Sequence, residues 1–131
     1  MKYMLMMHAP RGTGDYAIFN WTPDALQAHV AHMHDINRDL NAADEMVSVQ
    51  GLTPPGQARL VRAGEGGPVV TDGPFAEAKE FLAGFWVVDV ETPERAYEIA
   101  ARASAAPGPD GAPLNLSIEV RQVMSAPVQD A

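Results

Sequence analysis

Val69-Val70-Thr71-Asp72-Gly73-Pro74-Phe75-Ala76-Glu77-Ala78-Lys79-Glu80 is the stretch on which the fold turns. Two β-branched residues run into Asp-Gly-Pro, where Gly73 can adopt positive φ and Pro74 fixes its own. The sequence therefore predicts a short strand that ends in an abrupt turn. Pro74 suits the first position of a helical turn, Asp72 can accept from the backbone N–H groups ahead of it, and Phe75 supplies an apolar anchor. Glu77, Lys79 and Glu80 then put charge at the mouth of a strand.

On the C-terminal side, Gly84 to Val90 is almost unbroken apolar sequence, the pattern of a strand buried on both faces. On the N-terminal side, Ala58 to Arg62 and Pro68 to Thr71 flank Gly64-Glu65-Gly66-Gly67 and read as a hairpin. Val47 to Leu52 is a further strand, stopped by Thr53-Pro54-Pro55-Gly56. At the start of the chain, Lys2 to His8 is apolar on both faces, a central strand, and Pro10 to Asn20 reads as a loop.

Two helices open with the same chemistry: Thr22-Pro23-Asp24 and Thr92-Pro93-Glu94 each offer a capping hydroxyl, a proline at the first turn and an acid at the positive end of the dipole. The first runs to about Asn41 with Leu26, Val30, Met33, Ile36 and Leu40 in one apolar stripe. Asn37 falls near the centre of that stripe, His29 toward one side, and His32 and His34 on opposite edges. The second carries a narrow stripe of Ala96, Ile99, Ala100 and Ala103. Ala105 to Pro113 is rich in Pro and Gly and reads as flexible. Leu114 to Arg121 alternates apolar with polar and predicts a strand with one wet or pocket-facing side. Residues 125–131 have no periodicity and read as a disordered tail.

This order predicts an α+β fold, a ferredoxin-like βαββαβ pattern with an added hairpin, as one domain over residues 1–124. Both helices must cover the same sheet face. The strand at Phe85 to Val90 is apolar on both sides, so the other face needs a cover, and homodimerisation through it is the economical solution.

Composition narrows the function classes. The chain has 131 residues, a net charge of −8 and no cysteine. The negative balance repels nucleic-acid backbones and anionic membranes, and the missing thiols exclude disulfides and thiolate metal sites. The apolar start is too short for a signal-peptide core or a membrane span, so a cytoplasmic location is the expectation. No nucleotide-binding loop or metal-ligand spacing is present, and neither a cofactor nor a metal is expected.

Asp72-Gly73-Pro74-Phe75 with Ala76-Glu77-Ala78-Lys79-Glu80 resembles the signature of the DGPF branch of the YCII-related proteins. Met1-Lys2-Tyr3-Met4-Leu5, Gly51-Leu52-Thr53-Pro54, Ala83-Gly84-Phe85-Trp86 and Glu119-Val120-Arg121 extend the likeness in order along most of the chain. The resemblance implies a dimeric α+β barrel. It also implies a pocket dyad of a helix histidine and an acid from the loop after the first strand. His34 falls in register with that histidine, but the positions after the first strand are His8-Ala9-Pro10, with no carboxylate before Asp15.

Histidines are the side chains whose ordinary pKa lies near neutrality, so His34 and His8, with Asp72, are the candidate catalytic groups. The bland alternatives are a solvated helix flank for His34, a strand-end histidine for His8 and a turn cap for Asp72. Asn37, His29, Glu77 and Arg121 are candidate substrate-binding residues. Asn37 must find a partner if it faces the sheet, and Arg121 can hold a carboxylate through its planar fork. The bland alternative for His29 is a core-edge histidine bonded to a carbonyl.

Two functions fit. One is a small-molecule enzyme of lyase or isomerase type, using His/Asp acid–base chemistry in the pocket of a homodimer. The other, implied by the resemblance, is a noncatalytic binding or regulatory module associated with an extracytoplasmic-function sigma factor.

Overall fold

The computed structural model describes residues 1–10, 21–73 and 78–124. Along the chain run β1 (Lys2–Pro10), α1 (Pro23–Ala42), β2 (Met46–Gly51), β3 (Arg59–Gly64), β4 (Gly67–Asp72), β5 (Glu80–Asp89), α2 (Pro93–Ser104) and β6 (Ile118–Gln122), with a 3-10 turn at Pro55–Gln57 before β3. The main sheet has the order β2-β5-β1-β6, and β3 and β4 form a separate two-stranded sheet. All pairings are antiparallel. Each helix therefore joins two parallel strands with a third strand between them, the split βαβ arrangement that the element order predicts.

The helix starts follow their sequence. Thr22 Oγ1 accepts from the Ala25 amide and Thr92 Oγ1 from the Arg95 amide, both at 3.2 Å. Such a cap is worth about 1 kcal/mol. At the end of α1, Asp44 takes φ +58°, a left-handed conformation that Asp tolerates better than most residues. The Asp44 amide bonds to Asn41 O and the Glu45 amide to Leu40 O, a Schellman closure that uses Asp where Gly is usual.

That closure aims Glu45 at the first turn of α2, where Arg95 donates to both its carboxylate oxygens at 2.8 and 2.9 Å. The Arg95 guanidinium holds the Glu45 carboxyl below its ordinary value of 4.5. The folded carboxyl thus ionises below its unfolded counterpart. Its contribution to stability is present above pH 4.5 and disappears as pH falls through the lower folded value. Arg95 is 40% exposed, so screening keeps the effect small. The difference in urea midpoint between wild type and Glu45→Gln is expected to be flat from about pH 6 to 8 and to close in acid. A gap that widened in acid would refute this.

Both helices lie on one face of the sheet. Tyr3, Leu5 and Met7 of β1 and Trp86 and Val88 of β5 form one core with Ile36 and Leu40 of α1 and Ala96, Ile99, Ala100 and Ala103 of α2. The small stripe on α2 allows close approach, as its sequence predicts. Asn37, facing the sheet from α1, accepts from Trp86 Nε1 at 2.9 Å. Each polar group thereby removes the 1–3 kcal/mol cost of leaving the other unpaired.

Several predicted bounds shift. β5 begins at Glu80 instead of Gly84, and β1 continues to Pro10. The alternating stretch from Leu114 is a strand only from Ile118 to Gln122. The physical reason lies in the backbone: the Leu114 and Asn115 amides bond to Ala106 O and Ser104 O, Ser104 Oγ donates to Leu116 O, and Asn115 has φ +54°. These residues complete the end of α2. The Pro/Gly-rich link before them is tied by a bridge between Pro107 and Pro113 and a Gly108 amide bond to Ala112 O. Val30, placed in the apolar stripe by its spacing, is 39% exposed. The predicted loop from Arg11, the helical turn from Pro74 to Glu77 and the tail over 125–131 lie outside the described residues.

Candidate functional site

The sheet face opposite the helices holds the most informative group of side chains. Directly opposed residues share a face, so the pairs Met4 with Val87 and Met6 with Phe85 lie on this open side, as do Arg121 opposite Met4 and Glu119 opposite Met6. Met4, Met6, Phe85 and Val87 are half-buried within the single chain. They form an apolar floor, edged by Ser48 and Gln50 of β2 on one side and by Glu119 and Arg121 of β6 on the other.

His8 closes one end of this floor. Its Nε2 lies 3.1 Å from Glu119 Oε1, a contact that becomes an ion pair when the ring is protonated. A β-bulge sits beside it: Met7 pairs with Gly84 but His8 with Leu82, leaving Ala83 as the extra residue. Bulges re-aim side chains. This one turns Leu82 onto the open face beside His8. The same pairing carries the chain emerging from the Asp-Gly-Pro-Phe signature to the His8 end of the sheet, since Glu80 and Phe81 pair with Pro10 and Ala9.

The other predicted site residues fall elsewhere. His34 is exposed on α1. Its helix packs on the Met7 side of the sheet, so the sheet stands between His34 and His8. Asp72 ends β4 with its side chain 97% exposed and 3.8 Å from Arg59. His8, His34 and Asp72 are thus not gathered in the single chain. His29 is buried, bonded through Nδ1 to Pro107 O at 3.0 Å and set edge-on to Trp21. His32 similarly bonds to Arg102 O at 2.8 Å. Asn37 is satisfied by Trp86. Glu77 lies outside the described residues.

Glu119 was legible only as a neighbour of Arg121. Its role beside His8 follows from the register of β6 against β1, which no local pattern reveals. The ferredoxin-like order, with the last strand next to the first, was the signal that could have placed a β6 acid near a β1 histidine. Among the described residues, no group of three or more His, Asp or Glu side chains is placed to hold a metal ion.

A cavity of about 570 Å³ lies between the α1–β2 corner and the start of α2, lined by Met1, Asp44, Glu45, Asp89, Thr92 and Arg95 among others. Its main charges are already matched, Arg95 by Glu45 and the Met1 ammonium by Asp89, and none of the candidate residues reaches it. The open sheet face is the better site, because it joins an acid–base pair to an apolar surface. No helix among the described residues is long and apolar enough to cross a membrane.

Comparison with known proteins agrees with the fold. The chain is 30% identical over 80 residues to an uncharacterized protein of Rhizobium meliloti (strain 1021), covering 61% of this chain and 64% of that protein. The match therefore spans somewhat less than two thirds of the relative's length. The family model of the YCII-related domain matches residues 1–109. With most of its length under that model and the ferredoxin-like α+β order observed directly, this chain belongs to the YCII-related domain family.

Proposed function

We propose that this protein binds a small organic molecule on the open sheet face and performs acid–base chemistry on it, in the manner of a lyase or isomerase, with a second copy of the chain roofing the site. The observation that carries this reading is the contact between His8 and Glu119 at the end of an apolar floor. A carboxylate bonded to one ring nitrogen fixes the tautomer and stabilises the imidazolium that forms when the other nitrogen takes a proton. Glu119 fills the part of the acid that the loop after β1 does not offer near His8 in sequence. The apolar floor beside it lowers the local dielectric once covered, which strengthens any charge interaction there.

The roof follows from the same face. Met4, Met6, Phe85 and Val87 have neither helix above them, and a contiguous apolar patch rimmed by polar residues is the usual mark of an association surface. In this arrangement His34, on the helix side of its own sheet, stays away from the site in both copies.

The test is proton exchange. In D2O, a panel of small carbonyl, carboxylic and phenolic compounds is followed by NMR alongside the methionine methyl groups of the protein. The expected result is perturbation of the Met4 and Met6 methyls together with catalysed deuteration of an acidic C–H. In His8→Gln, exchange falls by at least about 100-fold, the usual worth of a positioned acid–base group. A panel that neither moves those methyls nor exchanges removes the reading.

A second reading, a noncatalytic module that docks another protein such as a sigma factor, is favoured by the hairpin. Val61 and Val70 form a cross-strand pair on it and are 62% and 57% exposed.

A further inference from the structure

Arg121 is the feature of the open face that the acid–base chemistry leaves unused. It is exposed on β6, and its side chain has no ion pair or hydrogen bond among the described residues. Four of the other five described arginines do, Arg62 of the exposed hairpin being the exception: Arg38 meets Asp35 and Asp39, Arg59 meets Asp72, Arg95 meets Glu45, and Arg102 meets Asp39. In a chain with 17 acids to 9 basic residues, an arginine without an acid needs a reason. The acid nearest on its own strand, Glu119, is held by His8. Lys2, near the same end, is the poorer anchor because its ammonium is a point charge that cannot match a carboxylate with two parallel hydrogen bonds.

The register sets the dimensions. Arg121 stands opposite Met4, and His8 lies four residues further along β1. Four residues of strand span roughly 13 Å. Both side chains can reach inward over the floor, which leaves room for a ligand several bonds long. The space between them is paved by Met4 and Met6 of β1 and by Phe85 of β5, an apolar and, in its methionines, adaptable surface.

We infer that the ligand is an elongated organic carboxylate with an apolar body: its carboxylate is held by the guanidinium fork of Arg121, its body lies on the Met4, Met6 and Phe85 floor, and its reacting end is presented to His8. The inference rests on the proposed binding function of this face and adds the class and direction of the ligand. A guanidinium matches a carboxylate with two parallel hydrogen bonds, whereas a neutral amide of the same shape offers the fork only one acceptor and no charge. Arg121 is accordingly a specificity-determining residue, and His8 remains the acid–base group.

The test uses matched pairs of ω-phenylalkanoates and their primary amides, with alkyl chains of two to five carbons, titrated against the full chain and read at the Met4 and Met6 methyls by NMR. The expected result is that the carboxylate of at least one pair binds at least about tenfold more tightly than its amide, the scale of a charged hydrogen bond. In Arg121→Gln that preference falls to near unity while amide affinity is unchanged. Arg121 is on the surface, so the variant folds, and Lys2→Gln serves as a second cation variant that keeps most of the preference. Equal binding of acid and amide by the wild type, or a preference that survives Arg121→Gln, overturns the carboxylate assignment and leaves the binding face intact. Failure of every acid and every amide to move those methyls overturns the assignment together with the function on which it rests.

Discussion

Leu5→Ala is expected to lower the unfolding free energy by about 3–5 kcal/mol, the range for truncating a buried leucine whose cavity cannot collapse. Leu5 has no exposed surface. It lies in the central strand, opposed by Trp86 on one side and Val120 on the other, and belongs to the core that includes Ile36 and Leu40. Strand neighbours and the two-helix layer therefore enclose it, and each of those elements is fixed by other contacts, so little relaxation is available. Domains of this size are stable by about 5–15 kcal/mol in total, which makes the loss a large fraction of the whole. Urea unfolding followed by tryptophan fluorescence measures it, since Trp86 lies beside the deleted side chain. Met6→Ala, one residue away on the open face, serves as the contrast and should cost the isolated chain less than half as much. A loss below about 1 kcal/mol at Leu5 would mean that the helices do not pack on this face.

Phe85→Glu is expected to abolish the proposed self-association, with a rise in the dissociation constant of at least about 1000-fold. Phe85 stands at the centre of the open face, opposed by Met6 and by Gln50. A carboxylate there would be taken from water on dimerisation without a partner, at a cost of several kcal/mol. In the single chain the same carboxylate stays solvated, so the fold survives and circular dichroism should be unchanged. Sedimentation or light scattering reads the mass. Val61→Glu on the hairpin is the companion variant and should leave the dimer intact. If Val61→Glu yields the monomer and Phe85→Glu does not, the contact lies on the hairpin, and the proposed roof over His8 and Glu119 falls with it.

These two residues mark what could and could not be read from the chain. That Leu5 shares a side with Tyr3 and Met7 was legible from strand alternation, though not which side meets the helices. The helix stripes that meet it were legible from their period, because both patterns are local consequences of burial. The capping threonines were legible for the same reason. Neither His8's partner nor the reach of β6 was local. Leu114 and Leu116 keep the alternation of a strand, yet their backbone groups are taken by the end of α2, a competition that periodicity does not register. His29 had its partner named by type, a carbonyl, but Pro107 is 78 positions away. Hydrogen bonds of that span depend on the packing of α1 against the link after α2. The candidate site suffers most from this, since an acid–base pair is made by register between strands and the sequence specifies register only through the whole fold.

The extra residue in β5 carries one more implication. Up to Gly84 the even-numbered side chains of this strand point under the helices, and past Ala83, toward the chain start, the parity is reversed, so that Leu82 faces outward and Phe81 sits across from buried Ala9. The distance from the signature loop to Trp86 is consequently a counted length. A chain that lost or gained a single position between Glu80 and Trp86 would put Phe81 and Leu82 on the wrong sides of the sheet.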